Sequence, residues 1–348
     1  MPRGRLSVNG RAPKCPCSLQ ARSCETLAYL LTDMLHGNKD RKAMKPCVFI
    51  HTNHKQIVGA LVAEYALKRN SPNADKFDVA LIHTKDYPFM RAYEGQEFRR
   101  GGTTRTWRVE DLQSFTPLRF MPPKLMGYQG RAVVIDPDIF AAGDIYSLLT
   151  RDMQGKAIMC RTRGRGQAIK GAFASSVMLL DCAKLTHWDP EREFPELFEG
   201  KRDYLSWISL RMEDPETIGQ FETYWNDFDK LTPETRLLHN TKRRTQPWKT
   251  GLPVDFIPAE KVRLLPGWGA LMRLRRRLFG DYGLLGHYRP HPDPNQERFF
   301  FGLLRECLEK GIVTQEMLQH EMQHNHVRHD ALQVVERTPT LEMKPLFA

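Results

Sequence analysis

Two aspartates, Asp136 and Asp138, stand one residue apart just after the apolar run Ala132-Val-Val-Ile135. A short apolar run of this kind reads as a buried strand. Carboxylates at the carboxyl end of a buried strand, at the mouth of an α/β sheet, are placed to meet a ligand or a metal. Mg²⁺ and Mn²⁺ take hard oxygen ligands and also bind phosphates. The chemistry such a pair offers is metal-assisted handling of a diphosphate. Two acids one residue apart are common by chance, so the pair needs companions elsewhere in the chain.

Several segments supply them. Arg119 lies upstream in Leu118-Arg-Phe-Met-Pro122, and a guanidinium is a permanent cation with a planar fork of donors suited to phosphate. Downstream, Leu238-His-Asn-Thr-Lys-Arg-Arg-Thr-Gln-Pro-Trp-Lys249 puts His239 beside Lys242, Arg243, Arg244 and Lys249. Imidazole is an acceptable ligand for a Mn²⁺ site otherwise built of oxygens. The apolar stretch Gly171-Ala-Phe-Ala-Ser-Ser-Val-Met-Leu-Leu-Asp181 carries the hydroxyls of Ser175 and Ser176. Asp203 precedes a helical stretch from Tyr204, and Asn226 and Asp227 form a polar cluster that reads as a loop turn.

In order and spacing these segments resemble the family 8 glycosyltransferases, the glycogenin and lipopolysaccharide galactosyltransferase group. There an acidic pair is followed by a Gly-Asp and a Leu-rich turn, as Asp136-Pro-Asp138 is followed here by Gly143-Asp144 and Leu148-Leu149. The resemblance spans Cys47 to Gly251, some two-thirds of the chain. It implies a GT-A fold: a Rossmann-like mixed α/β sheet flanked by helices. It implies a metal-dependent glycosyltransferase that moves a sugar from a nucleotide-diphosphate donor, a UDP-sugar, to an acceptor hydroxyl with retention. Asp136, Asp138 and His239 would hold Mn²⁺ or Mg²⁺. Arg119, Lys242 and Lys249 would face the diphosphate, and Thr52 and Asn53 the base and ribose. Asp203 is the candidate catalytic residue. The chain departs from the family on the sugar side, with Ala174 in place of Asn and Ser176 in place of Gly.

The elements that must carry these residues alternate. Cys47–Thr52 reads as a strand, Gln56–Arg69 as a helix and Asp78–His83 as a second strand. A long charged connection covers 84–115, and Leu118–Met126 reads as helical. Ala157–Cys160 and Val177–Asp181 are further strands, after which the β signal fades. This gives three regions: a basic, disordered N-terminal segment 1–43, a transferase domain 44–257 and a mostly helical extension 258–348. Cys15, Cys17 and Cys24 in the first region match no common zinc spacing.

Composition bounds the rest. The chain has 348 residues, 41% hydrophobic and 27% charged, as expected of a soluble globular protein. Seven irregularly spaced cysteines and no signal-peptide core point to a reduced, cytoplasmic setting. The net charge of +11 favours an anionic partner. No nucleic acid is expected, because zinc-finger, RNA-recognition and basic-region patterns are missing. The acceptor class stays open among glycan, lipid-linked and protein. Leu271-Met-Arg-Leu-Arg-Arg-Arg-Leu-Phe279 reads as a solvated helix with a basic face, with peripheral docking on an anionic membrane as the alternative. Two other functions compete: a non-catalytic sugar-nucleotide binder, and a zinc hydrolase through His320-Glu321-Met322-Gln323-His324.

Overall fold

The computed structural model describes residues 44–162, 173–256, 268–279 and 283–342. The segment 1–43 with its cysteines, and Gly171 and Ala172, lie outside the described residues.

The body is a six-stranded mixed sheet in the order β2-β1-β5-β8-β7-β9. Its members are β1 (Cys47–Thr52), β2 (Asp78–His83), β5 (Arg131–Ile135), β7 (Ile158–Thr162), β8 (Phe173–Asp181) and β9 (Ile218–Gln220). β2, β1 and β5 run parallel, and β8 reverses against β5. All six residues of β1 are buried, which explains its near-continuous apolar run: a parallel strand covered on both faces has no polar side. The helix Ile57–Arg69 follows β1 and closes with Lys68 and Arg69 in its last turn, where cations oppose the helix dipole.

A second sheet of three short strands does the positioning. β11 (Leu237–His239) lies between β10 (Asp227–Phe228) and β6 (Ile139–Ala141). The antiparallel pairing of β11 with β6 sets His239 opposite Ile139, the residue after Asp138. Residues 100 positions apart are thereby brought to one place by three backbone pairs.

The long connection 84–115 holds a hairpin absent from the sequence reading: β3 (Glu97–Arg100) and β4 (Thr103–Thr106). Its turn is Gly101-Gly102, both at positive φ, where glycine carries no Cβ penalty. Leu118–Met126 divides into a 3-10 turn at Thr116–Phe120 and a one-turn helix at Pro122–Leu125. The prolines at its start have no N–H to continue the preceding turn.

The helices from Pro294 onward share the same core. Phe300 of the helix Pro294–Glu309 packs on Phe140 and Trp248, with ring centroids 5.3 and 4.8 Å away. Glu306 of that helix receives Arg69 at 2.6 and 2.9 Å and the Tyr65 hydroxyl at 2.6 Å. The body and these helices bury their apolar faces in one continuous cluster.

Candidate functional site

β5 ends at Ile135, and the next residue, Asp136, still bonds through its N–H to the Ser176 carbonyl of β8 at 3.1 Å. Its backbone is thus held at the carboxyl end of a central strand of the sheet. Oδ1 accepts from Arg119 Nη2 at 2.9 Å and lies 2.8 Å from His51 Nε2. Burial would raise the Asp136 pKa, but the Arg119 guanidinium, with His51 and His239, holds it well below the carboxylate range. His51 is fully buried at the end of β1, and burial pushes its imidazole down despite Asp136.

Asp138 follows one residue later. Its Oδ2 accepts from Gln246 Nε2 at 2.9 Å. Its Oδ1 is buried without a hydrogen-bond partner and faces His239 Nε2 at 3.4 Å. The other ring nitrogen of His239, Nδ1, meets Asn226 Oδ1 at 2.8 Å. Asn226 in turn donates from Nδ2 to Ser176 Oγ at 3.0 Å. In the neutral tautomer that donates Nδ1–H to Asn226, the ring turns its Nε2 lone pair toward Asp138. Ligand atoms of Asp136, Asp138 and His239 all lie within 4.8 Å of one another, and they form the group of three metal-ligating side chains found among the described residues.

The basic residues divide. Arg119 is at the site, buried, with Nη1 donating to Ser175 Oγ at 2.6 Å. Lys242 is exposed, and its backbone N–H is tied to Asp229 Oδ1 at 3.1 Å. Arg243, over the Phe256 ring at 5.2 Å, is pushed down by burial and pushed back by the fields of Asp111 and Asp138. Lys249 is wholly buried, and its Nζ pairs with Asp255 at 2.9 Å.

Three further candidates make contacts within the scaffold. Thr52 ends β1, buried, and its hydroxyl bonds the Asn53 carbonyl at 3.2 Å. Asn53 Nδ2 reaches Asp111 O, Leu112 O and Ser114 Oγ, and its Oδ1 caps the 3-10 turn through Lys55 N. That amide anchors the 111–114 loop and has no donor left for a nucleotide. Asp203 caps the helix Tyr204–Ile208 through Ser206 N at 2.9 Å and also accepts from Gly101 N at 2.7 Å. Two backbone donors therefore hold its carboxylate.

The residues missed from sequence are Asn226 and Gln246, while His51, read with Thr52 and Asn53 as part of the donor-facing loop, meets Asp136. Asn226 read as a loop turn; it is fully buried and orients His239. An amide in a segment dense with aromatic and acidic residues was the available signal. His320 and His324 lie on a helical turn with rings 4.1 Å apart, but the motif's Glu321 is held by His326 at 2.6 Å and His320 at 3.1 Å. Neither histidine joins a group of three ligands among the described residues, so the geometry gives the zinc-hydrolase alternative no support.

No family model and no curated protein matches the chain. Solved structures do. A glycosyltransferase, GlyE, from Streptococcus pneumoniae TIGR4 is similar at 16% identity and a TM-score of 0.43, over 77% of this chain and 64% of that one. The galactosyltransferase LgtC with donor and acceptor sugar analogs is similar at 10% identity and a TM-score of 0.40, over 58% and 89%. Mouse xyloside xylosyltransferase 1 follows at 13% identity and a TM-score of 0.38, over 57% and 99%. The chain spans less than two-thirds of the length of the S. pneumoniae protein.

Proposed function

We propose that this chain is a divalent-metal-dependent glycosyltransferase of GT-A type, transferring a sugar from a nucleotide-diphosphate donor to an acceptor hydroxyl. One observation carries the reading. Asp138 Oδ1, an atom buried without a hydrogen-bond partner on a half-buried residue, faces Nε2 of buried His239 at 3.4 Å, with Asp136 in the same group of candidate ligands. That distance is longer than an ordinary N–H···O bond. It is near the ~3 Å expected between adjacent ligands of an octahedral ion with bonds of about 2.1 Å. Asp136, Asp138 and His239 are the side chains that would hold a divalent cation there.

The donor set of two carboxylates and one imidazole suits Mn²⁺, with Mg²⁺ second. Bound there, the ion supplies Lewis-acid stabilisation to the departing diphosphate. The protein's own part is orientation and field. Arg119 and His51 hold Asp136, Gln246 holds Asp138, and Asn226 holds His239. Arg243 adds positive potential close to Asp138, where charge develops on the leaving group. Lys242 remains a candidate for the outer phosphate, whereas Lys249 and Asp203 belong to the scaffold in this reading. UDP as the nucleotide and retention of configuration come from the sequence resemblance. A glycan is the acceptor class proposed.

The test is metal-dependent thermal stabilisation against a panel of nucleotide sugars, followed by donor hydrolysis and transfer. Asp136→Ala and Asp138→Ala, made singly, should each abolish metal-dependent binding. If binding or hydrolysis survives both at the wild-type level, the proposal fails. Metal-dependent binding with no turnover would identify a sugar-nucleotide binder instead.

A further inference from the structure

Seven large hydrophobic side chains are exposed among the described residues, and five of them fall between 271 and 284. Leu271, Leu274, Leu278, Phe279 and Leu284 are 54, 52, 64, 56 and 73% exposed. Leu271, Leu274 and Leu278 follow i, i+3, i+7 spacing and so share one face of the helix Trp268–Phe279. A helix on a globular body ordinarily turns that face inward. Here it is turned to solvent. The helix also carries four arginines, at 273, 275, 276 and 277, and no acidic residue.

We propose that this helix docks in the plane of an anionic lipid bilayer, with its exposed leucines and Phe279 in the acyl boundary and exposed Arg277 at the phosphates, in the field of a helix whose charged residues are all cations. Both halves of the pattern are needed for such a surface: apolar area to insert and cations to meet the headgroups. Arginine stems can lie along the apolar boundary while their heads stay at the phosphates. At 12 residues the helix is about 18 Å long, too short to span a membrane. A second copy of the chain is a poor occupant, because it would set four arginines against four. A nucleic acid would meet the arginines but offers no counterpart for five exposed apolar side chains.

The experiment is co-sedimentation of the full chain with vesicles of phosphatidylcholine alone or mixed with phosphatidylglycerol. Binding is expected to the mixed vesicles only and to fall with added salt. Leu274→Asp with Leu278→Asp should weaken it at least tenfold, and Arg277→Gln about fivefold. These side chains are exposed, so the melting temperatures should stay at the wild-type value. Equal binding to both vesicles, no binding to either, or full binding by the double variant would each overturn the proposal. So would self-association that the double variant abolishes without any vesicle binding. None of these readouts depends on the metal site, so the two proposals fail separately.

Discussion

Asn226→Leu is the sharpest probe of the site, because Asn226 is outside the group of candidate ligands and meets it through His239. In the structure its Oδ1 lies 2.8 Å from His239 Nδ1 and its Nδ2 donates to Ser176 Oγ at 3.0 Å. Leucine has similar size but neither group. The ring is then free to change tautomer and turn away from Asp138. Losing a partner of this kind typically weakens metal binding about 10- to 100-fold, or about 1.4–2.7 kcal/mol. The substitution also leaves His239 Nδ1 and Ser176 Oγ without their partner in a buried setting, at a cost of about 1–3 kcal/mol of stability. The Mn²⁺ dissociation constant should be measured by electron paramagnetic resonance without nucleotide, and stability by urea unfolding in chelator. Asn226→Asp separates the two effects: it keeps an acceptor for Nδ1–H but loses the donor to Ser176. It should recover most of the affinity and little of the stability. If Asn226→Leu lowers stability while Mn²⁺ binds with the wild-type constant, Asn226 only packs and His239 is not a ligand.

A Cβ at Gly59 would lie 2.7 Å from the Pro137 carbonyl oxygen, so Gly59→Ala must push the helix Ile57–Arg69 off the Asp136–Asp138 turn. It should cost about 1–3 kcal/mol in urea unfolding, against a helix-propensity gain of about 1 kcal/mol. Glu306→Ala strands Arg69 in a largely buried contact and should cost about 3 kcal/mol while unfolding stays a single transition. A separate early transition that leaves the sheet intact would refute the shared core. Burial raises the Glu64 pKa from 4.5 to about 7, with Lys68 opposing. The folded chain then holds a proton that the unfolded chain releases, so stability should fall as pH rises from about 4.5 through about 7, by at most about 3 kcal/mol. Glu64→Gln should flatten that slope, and an unchanged slope would place the titrating group elsewhere.

Which parts were legible follows from how local their causes are. β1 and β5 announced themselves because a strand buried on both faces must be apolar throughout. The Asp136–Asp138 pair was legible because it terminates such a strand. The hairpin of β3 and β4 was not, since its residues are polar and mostly exposed, and no alternation marks them. Asn53 and Asp203 were read toward the ligand because polar residues after strands and before helices serve capping and catalysis alike. Only the partners distinguish the two uses, and those partners lie 58 and 102 positions away for the contacts with Leu112's neighbour Asp111 and with Gly101. The same holds for Asn226, whose role depends on the pairing of β10 with β11.

Of the two adjacent serines of β8, Ser176 is a departure from the family pattern and Ser175 is not, yet both brace the Asp136–Asp138–His239 group. Successive residues of a strand point to opposite faces of the sheet. Ser175 receives Arg119 Nη1 and donates to the Ile208 carbonyl, while Ser176 receives Asn226 Nδ2. One residue therefore braces the guanidinium on Asp136, and the next braces the amide that orients His239. Both braces stand on a strand whose register is fixed by five backbone pairs with β5, the strand that delivers Asp136. A slip of one residue would exchange the faces and lose both braces at once. The arms of the site are thus tied to a single strand pairing, and a glycine at 176 could not make the second tie. Ser176→Gly should accordingly loosen His239 and leave Arg119 in place, a separation that the Mn²⁺ constants of Ser175→Ala and Ser176→Gly would reveal.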